Sequence, residues 1–188
     1  VVRPADANET AVAWRTILEK KDRPAGLVLS RQNLPIWARE DIHSDAEGEK
    51  FASAEGTARG GYVMADTEGT PDVILIATGS EVEIALEARH KLSEKGIAAR
   101  VVSMPSREWF NEQSDEYRES VLPSSVAARV SVEAGLGMSW YDLLGSAGRA
   151  VSIEHFGASA DAKTLYREFG ITPEAVVTAA EESIASVK

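Results

Sequence analysis

"DVILIATGSEVEIALEARHKLSEKGIAARVVSM", Asp72–Met104, decides the fold. Its first part, "DVILIAT" (Asp72–Thr78), is an unbroken apolar run of strand length. A strand with one wet face alternates apolar and polar residues; a continuous run belongs to a parallel sheet covered on both faces. "GSEVEIALEARHKLSEKG" then turns helical. Ser80 stands three positions before Glu83, the spacing of a capping box, and Val82, Ala85, Leu86 and Leu92 share one face. Gly96 is the expected C-terminal stop. "AARVVSM" (Ala98–Met104) is again β-branched and is ended by Pro105. Strand, helix and strand with short joins form a βαβ unit, whose crossover is right-handed.

Downstream the alternation continues. "DEYRESVLP" (Asp115–Pro123) reads as a short helix, "ARVSVEA" (Ala128–Ala134) as a third strand and "AVSIEHF" (Ala150–Phe156) as a fourth. Between the last two, "GLGMSWYDLLGSAG" gives a loop and a short helix. "DAKTLYREFG", capped by Asp161, and "PEAVVTAAEESIASV", with Pro173 in its first turn, are the closing helices. The fold class predicted from residue 61 onward is α/β, a three-layer α/β/α domain around a mostly parallel sheet.

Upstream, "ANETAVAWRTILEKK" (Ala7–Lys21) reads as a helix with Asn8 as N-cap and Glu9 in the first turn. "LVLS" follows as a short buried strand. Ile36–Gly61 is acidic, rich in small residues and without a period, so it reads as a linker with at most one helical turn. One helix and one short strand cannot bury their own apolar faces. The first 40 residues are therefore expected to dock on the following domain or to pair between copies.

Composition narrows the function. Net charge is −10, from 20 basic against 30 acidic residues, the wrong sign for a general nucleic-acid binder. There is no cysteine, which removes disulfides, thiolate zinc sites and iron–sulfur clusters, and suits the reducing cytosol. No apolar run approaches the roughly 20 residues of a membrane span, and "VVRPADANET" has no signal-peptide pattern. A cytoplasmic protein without nucleic-acid or membrane partners is expected.

"LVLSRQNLP" (Leu27–Pro35) poses the functional question. Open α/β sheets collect ligands at the carboxyl ends of their strands, and this stretch puts Ser30 and Arg31 at such an end. The guanidinium is a permanently charged fork that matches phosphate or carboxylate oxygens. Spacing alone leaves two readings open: an anion site, or a surface salt bridge beside polar turn formers. "ATGSEVE" (Ala77–Glu83) could cradle an anion on the N–H groups near Gly79 and Ser80. It lacks the lysine of a Walker A loop and the full GxGxxG spacing, so it reads as a tight strand-to-helix turn. His43, His90 and His155 read as structural. Glu133 and Glu154 lie near strand ends, with nothing in the sequence to bring them together. Trp37, Trp109 and Trp140 suit an interface or a core equally.

A resemblance bears on the open choice. "RPAD" (Arg3–Asp6), "LSRQNLP" (Leu29–Pro35), "RGGYV" (Arg59–Val63), "ATGSEVE" (Ala77–Glu83), "ARVVSMPS" (Ala99–Ser106), "YRESVLP" (Tyr117–Pro123) and "FGASA" (Phe156–Ala160) stand in the order they have in transketolases. The chain resembles the tail of that family's pyrimidine-binding domain (1–40), a linker (41–60) and the C-terminal domain (61–188). Transketolases move a two-carbon ketol unit from a ketose phosphate to an aldose phosphate, in the pentose phosphate pathway. They use thiamine diphosphate held by a divalent metal (Mg or Ca) at a homodimer interface. The resemblance implies that Arg31 binds the sugar phosphate and makes Ser30 a further candidate. It implies no catalytic, cofactor or metal residue in this stretch, because the "GDG" segment, the pyrimidine-activating glutamate and the channel histidines lie upstream in the family. These residues alone are accordingly expected to hold neither thiamine diphosphate nor metal, and to be inactive. The alternatives are a non-catalytic dimer-contact or regulatory α/β module, and a related thiamine enzyme such as dihydroxyacetone synthase or deoxyxylulose-phosphate synthase. "SRQNLP" followed by "GGYV" favours the transketolase-like reading.

Overall fold

β2, Val73–Ala77, lies at the centre of the computed structural model, which describes residues 1–41 and 49–187. All five of its residues are buried, as the unbroken apolar run requires. It pairs in parallel with β3 (Ala99–Ser103) on one side and β4 (Arg129–Val132) on the other. β5 (Arg149–Val151) extends the parallel set beyond β4. β1 (Tyr62–Ala65) closes the opposite edge, antiparallel to β3, giving the order β1-β3-β2-β4-β5.

Successive residues of a strand face opposite sides, and this splits β2 between two cores. Val73, Leu75 and Ala77 pack with α2 (Glu81–Glu94) and α7 (Pro173–Val187). Ile74 and Ile76 pack with Phe110 of α3 (Arg107–Asn111), Val121 of α4 (Asp115–Val121) and Leu144 of α5 (Tyr141–Leu144). The remaining helices are α1 (Ala7–Glu19) and α6 (Ala162–Glu168). The result is a mixed, mostly parallel sheet between two helical layers, the three-layer α/β architecture expected.

Several local expectations need correction. Asp6, not Asn8, caps α1: its carboxylate accepts the Glu9 N–H at 2.8 Å. Asn8 lies inside the helix and donates instead to the Trp37 carbonyl at 3.1 Å. Ser80 precedes α2 but makes no cap hydrogen bond, because its backbone is already helical (φ −60°, ψ −24°) and its hydroxyl points elsewhere. "LVLS" is not a buried strand. Leu27 makes one isolated parallel bridge to Val2, and Val28 and Leu29 are 51% and 57% exposed. No longer strand is available to them among the described residues. β5 stops at Val151, although the Ile153 N–H reaches the Gly135 carbonyl at 2.8 Å. β1 and α3 were not anticipated; β1 is a short edge carrying an irregularity between Val63 and Ala65.

The first 41 residues dock on the sheet domain. Val2, Ala13 and Trp109 form a small shared core with Ile17 and Leu27 against it. The Ile36–Gly61 stretch contributes to the docking: Arg39 and Phe51 are buried, and Ala54–Arg59 forms a 3-10 helix beside α1. His43 lies outside the described residues.

Candidate functional site

The crossovers β2→β3 and β3→β4 leave to opposite sides of β2, so the strand order reverses between β2 and β4. The crevice at the carboxyl ends of such strands is where open α/β sheets receive ligands. Here Arg3 enters it. Its N–H donates to the Pro105 carbonyl beyond β3 (2.7 Å), and its own carbonyl accepts the Gly79 N–H beyond β2 (3.1 Å). Its guanidinium bridges two carboxylates: Glu133 at the end of β4, and Glu81 at 3.3 Å in the first turn of α2. The Trp140 indole N–H donates to the other oxygen of Glu133, and the buried Glu81 also accepts from the Tyr166 hydroxyl. Ser80 shares that hydroxyl at 2.8 Å and donates to Glu81 at 3.0 Å.

This geometry answers the cradle question at Gly79 and Ser80. Gly79 adopts φ +57°, the left-handed conformation that favours glycine, and turns its N–H into the crevice. The Arg3 carbonyl takes that N–H, and the Ser80 hydroxyl is engaged by Glu81 and Tyr166. At Gly79 the chain itself takes the N–H that an anion would use.

Arg31 stands in contrast. Each of the other arginines holds a carboxylate, a carbonyl or an aromatic ring. Arg31 is exposed and, among the described residues, makes no ion pair, side-chain hydrogen bond or ring contact. Ser30 is exposed too and donates to the Gln32 carbonyl at 2.9 Å, forming a local turn. Gln32 is partly buried between two exposed neighbours. Burial, then the Glu81 carboxylate, pushes the Tyr166 phenol above its ordinary range.

A second polar cluster, which sequence reasoning missed, lies under α1. Glu9 is fully buried and accepts from the Ala5 N–H (2.8 Å), the Tyr62 hydroxyl (2.8 Å) and the Ser103 hydroxyl (2.7 Å). Arg39, also fully buried, pairs with Asp6 at 2.8 Å and donates to the Tyr62 hydroxyl and the Ala52 carbonyl. Burial raises the Glu9 carboxyl above the usual carboxylate range. A signal was present: Glu9, Val12, Ala13 and Thr16, the buried residues of α1, follow the i, i+3, i+4, i+7 stripe.

Other candidates separate. Glu133 pairs with Arg3, whereas Glu154 accepts from the Gly137 N–H and the Ser152 hydroxyl. His155 packs edge-on against Phe169 at 4.7 Å, and His90 is exposed on α2. Trp109 and Trp140 are buried, and Trp37 packs on Phe51. Among the described residues no group of three His, Asp or Glu side chains could hold a metal ion. Among the described residues no helix is long and apolar enough to cross a membrane.

The fold is that of a transketolase-type C-terminal domain: the profile of the transketolase-like TK C-terminal domain matches residues 60–172. A transketolase of Mycobacterium leprae is 56% identical over 188 residues, covering 97% of this chain and 25% of that protein. A crystal structure of a Pichia stipitis transketolase in complex with sedoheptulose-7-phosphate superposes with a TM-score of 0.82 at 37% identity, over 98% of this chain and 25% of that one. A split-gene transketolase, described as an inactive β4 tetramer, superposes with a TM-score of 0.66 at 25% identity, over 100% of this chain and 58% of that one. The chain belongs to the transketolase family. It spans about a quarter of the length of the Mycobacterium leprae relative.

Proposed function

We propose that this chain is the C-terminal part of a transketolase that transfers a two-carbon ketol unit from a ketose phosphate to an aldose phosphate, and that Arg31 binds the sugar phosphate. The observation that carries this reading is the guanidinium left unengaged among the described residues, in a chain where every other arginine has a partner. A fork with five donors and a permanent charge suits a phosphate group. The relative crystallised with a sugar phosphate supports that class of substrate. Ser30 lies beside it as a second polar group.

Residues 1–40 are read as the end of a pyrimidine-binding domain, 41–60 as a linker and 61–188 as the C-terminal domain. The longer protein is a cytoplasmic homodimer that holds thiamine diphosphate and a divalent metal on segments upstream of these. That cofactor supplies the electron sink for carbon–carbon cleavage. The residues of this chain bind and orient the sugar and brace the domain interface. By themselves they do not turn over, a reading favoured by the inactive β4 tetramer of the split-gene relative.

The test is a ketol-transfer assay with a ketose phosphate donor and an aldose phosphate acceptor, run on the whole gene product and on the 188-residue chain. Transfer by the whole protein, dependent on added thiamine diphosphate and a divalent cation, is expected, with none from the chain alone. Turnover by the isolated chain, or no transfer by the cofactor-loaded whole protein, overturns the proposal.

A further inference from the structure

We propose that Arg3 is a positioning residue for the sugar-phosphate site: it fastens to the sheet crevice the backbone bridge from which the Arg31 loop hangs. The inference rests on the reading of Arg31 as the phosphate ligand. Three observations carry it. The Arg3 guanidinium is gripped on two sides, by Glu81 in the first turn of α2 at 3.3 Å and by Glu133 just past β4. Each carboxylate is itself held by a second donor, the Tyr166 hydroxyl on Glu81 and the Trp140 indole N–H on Glu133. The residue before Arg3 carries the bridge: Val2 donates to the Gly26 carbonyl at 2.8 Å and accepts the Val28 N–H at 2.9 Å.

Arg31 lies shortly past that bridge. From Leu29 to Ile36 the backbone makes no hydrogen bond to another element among the described residues, and Ser30 bonds only within the turn, to the Gln32 carbonyl. The loop is next tied at Trp37, whose carbonyl accepts from Asn8 at 3.1 Å. The two residues that tie it, Val2 and Asn8, flank Arg3 in the sequence. A loop held between fixed ends samples fewer conformations than one whose end drifts. Without the Arg3 side chain the bridge loosens, and Arg31 has to be ordered at the moment a phosphate binds, which weakens binding without altering the reacting centre. The effect is bounded, because Val2 stays buried against Trp109.

Arg3→Met removes the charge and both carboxylate contacts. In the whole enzyme, loaded with thiamine diphosphate and a divalent cation, it should raise KM for a phosphorylated ketose about twofold to tenfold, the scale of ordering one long side chain. kcat, and KM for an unphosphorylated ketose donor, should stay unchanged. Glu133→Gln keeps the shape and removes one of the two opposing charges. It should shift the same KM in the same direction, and the double variant should be no worse than Arg3→Met alone, since both break one link. A merely structural Arg3 would lower the melting temperature without the phosphate-selective KM change. That outcome, equal effects on both donors, no effect, or effects that multiply in the double variant overturn the inference. Should Arg3→Met not fold, Glu133→Gln decides by the same KM comparison. Arg31→Ala, run alongside, separates the two levels. If it is phosphate-selective and Arg3→Met is not, only the positioning role fails. If Arg31→Ala shows no selectivity, the reading of Arg31 fails and the positioning role with it.

Discussion

Arg31 and Arg39 stand eight positions apart and serve opposite ends. Arg39 is wholly enclosed, paired with Asp6, and removing one partner of such a pair leaves an uncompensated buried charge. Arg39→Met should cost about 3–5 kcal/mol of stability, read by urea denaturation, whereas Arg39→Met with Asp6→Leu should cost less. Arg31→Met should leave stability within about 0.5 kcal/mol. Glu9 gives a pH signature. Its folded pKa lies above the unfolded value, so the stability tied to its neutral form is fully present below about pH 4.5 and is lost as pH rises through the folded pKa. Relative to Glu9→Gln, the parent should lose stability as pH rises above about 4.5; a difference that stays flat on that side contradicts the assignment. Arg31 could be read as a candidate because its neighbours are polar, but Glu9 looked like a first-turn helix acid, and only its place on the buried stripe distinguishes it.

Elements were legible where one rule acted alone. β2, β3 and β4 came through because an apolar run of strand length between breakers has few other fates. The ends of helices did not, because capping is decided by backbone angles and by rival partners. Two residues that both look like caps, Asp6 and Asn8, differ only in which one leaves the helical conformation. Asn8→Ala should therefore cost less than about 1 kcal/mol, while Asp6→Ala, which loses the cap and strands Arg39, should cost about 3–5 kcal/mol. Similar losses at both positions, read from thermal melts, would show that the cap is misassigned. On the sheet, Ile76→Ala opens space between Phe110, Val121 and the other face-packed residues, and should cost about 2–5 kcal/mol.

The whole molecule is joined by polar links that no local pattern announces. "RPAD" reads as a turn, yet Arg3 closes the sheet crevice and Asp6 receives Arg39 from 33 residues along the chain. The exposed "LVLS" segment failed as a strand for the same reason: its pattern presumes a neighbour, and Val2 is its only bridge partner among the described residues. With Arg3, Glu9 and Arg39 tying the first 41 residues to the sheet, far-UV dichroism and tryptophan fluorescence should report one coincident unfolding transition; two separated transitions would show that the docking is weak. Arg31, at the edge of this docked segment, bears the functional claim. The most direct measurement is the ratio of kcat/KM for a phosphorylated to an unphosphorylated ketose donor in the whole enzyme, parent against Arg31→Ala. A charge-assisted hydrogen bond of about 1.5–3 kcal/mol predicts that the ratio falls roughly tenfold to a hundredfold, through KM. An unchanged ratio, with both donors affected alike or not at all, contradicts the account.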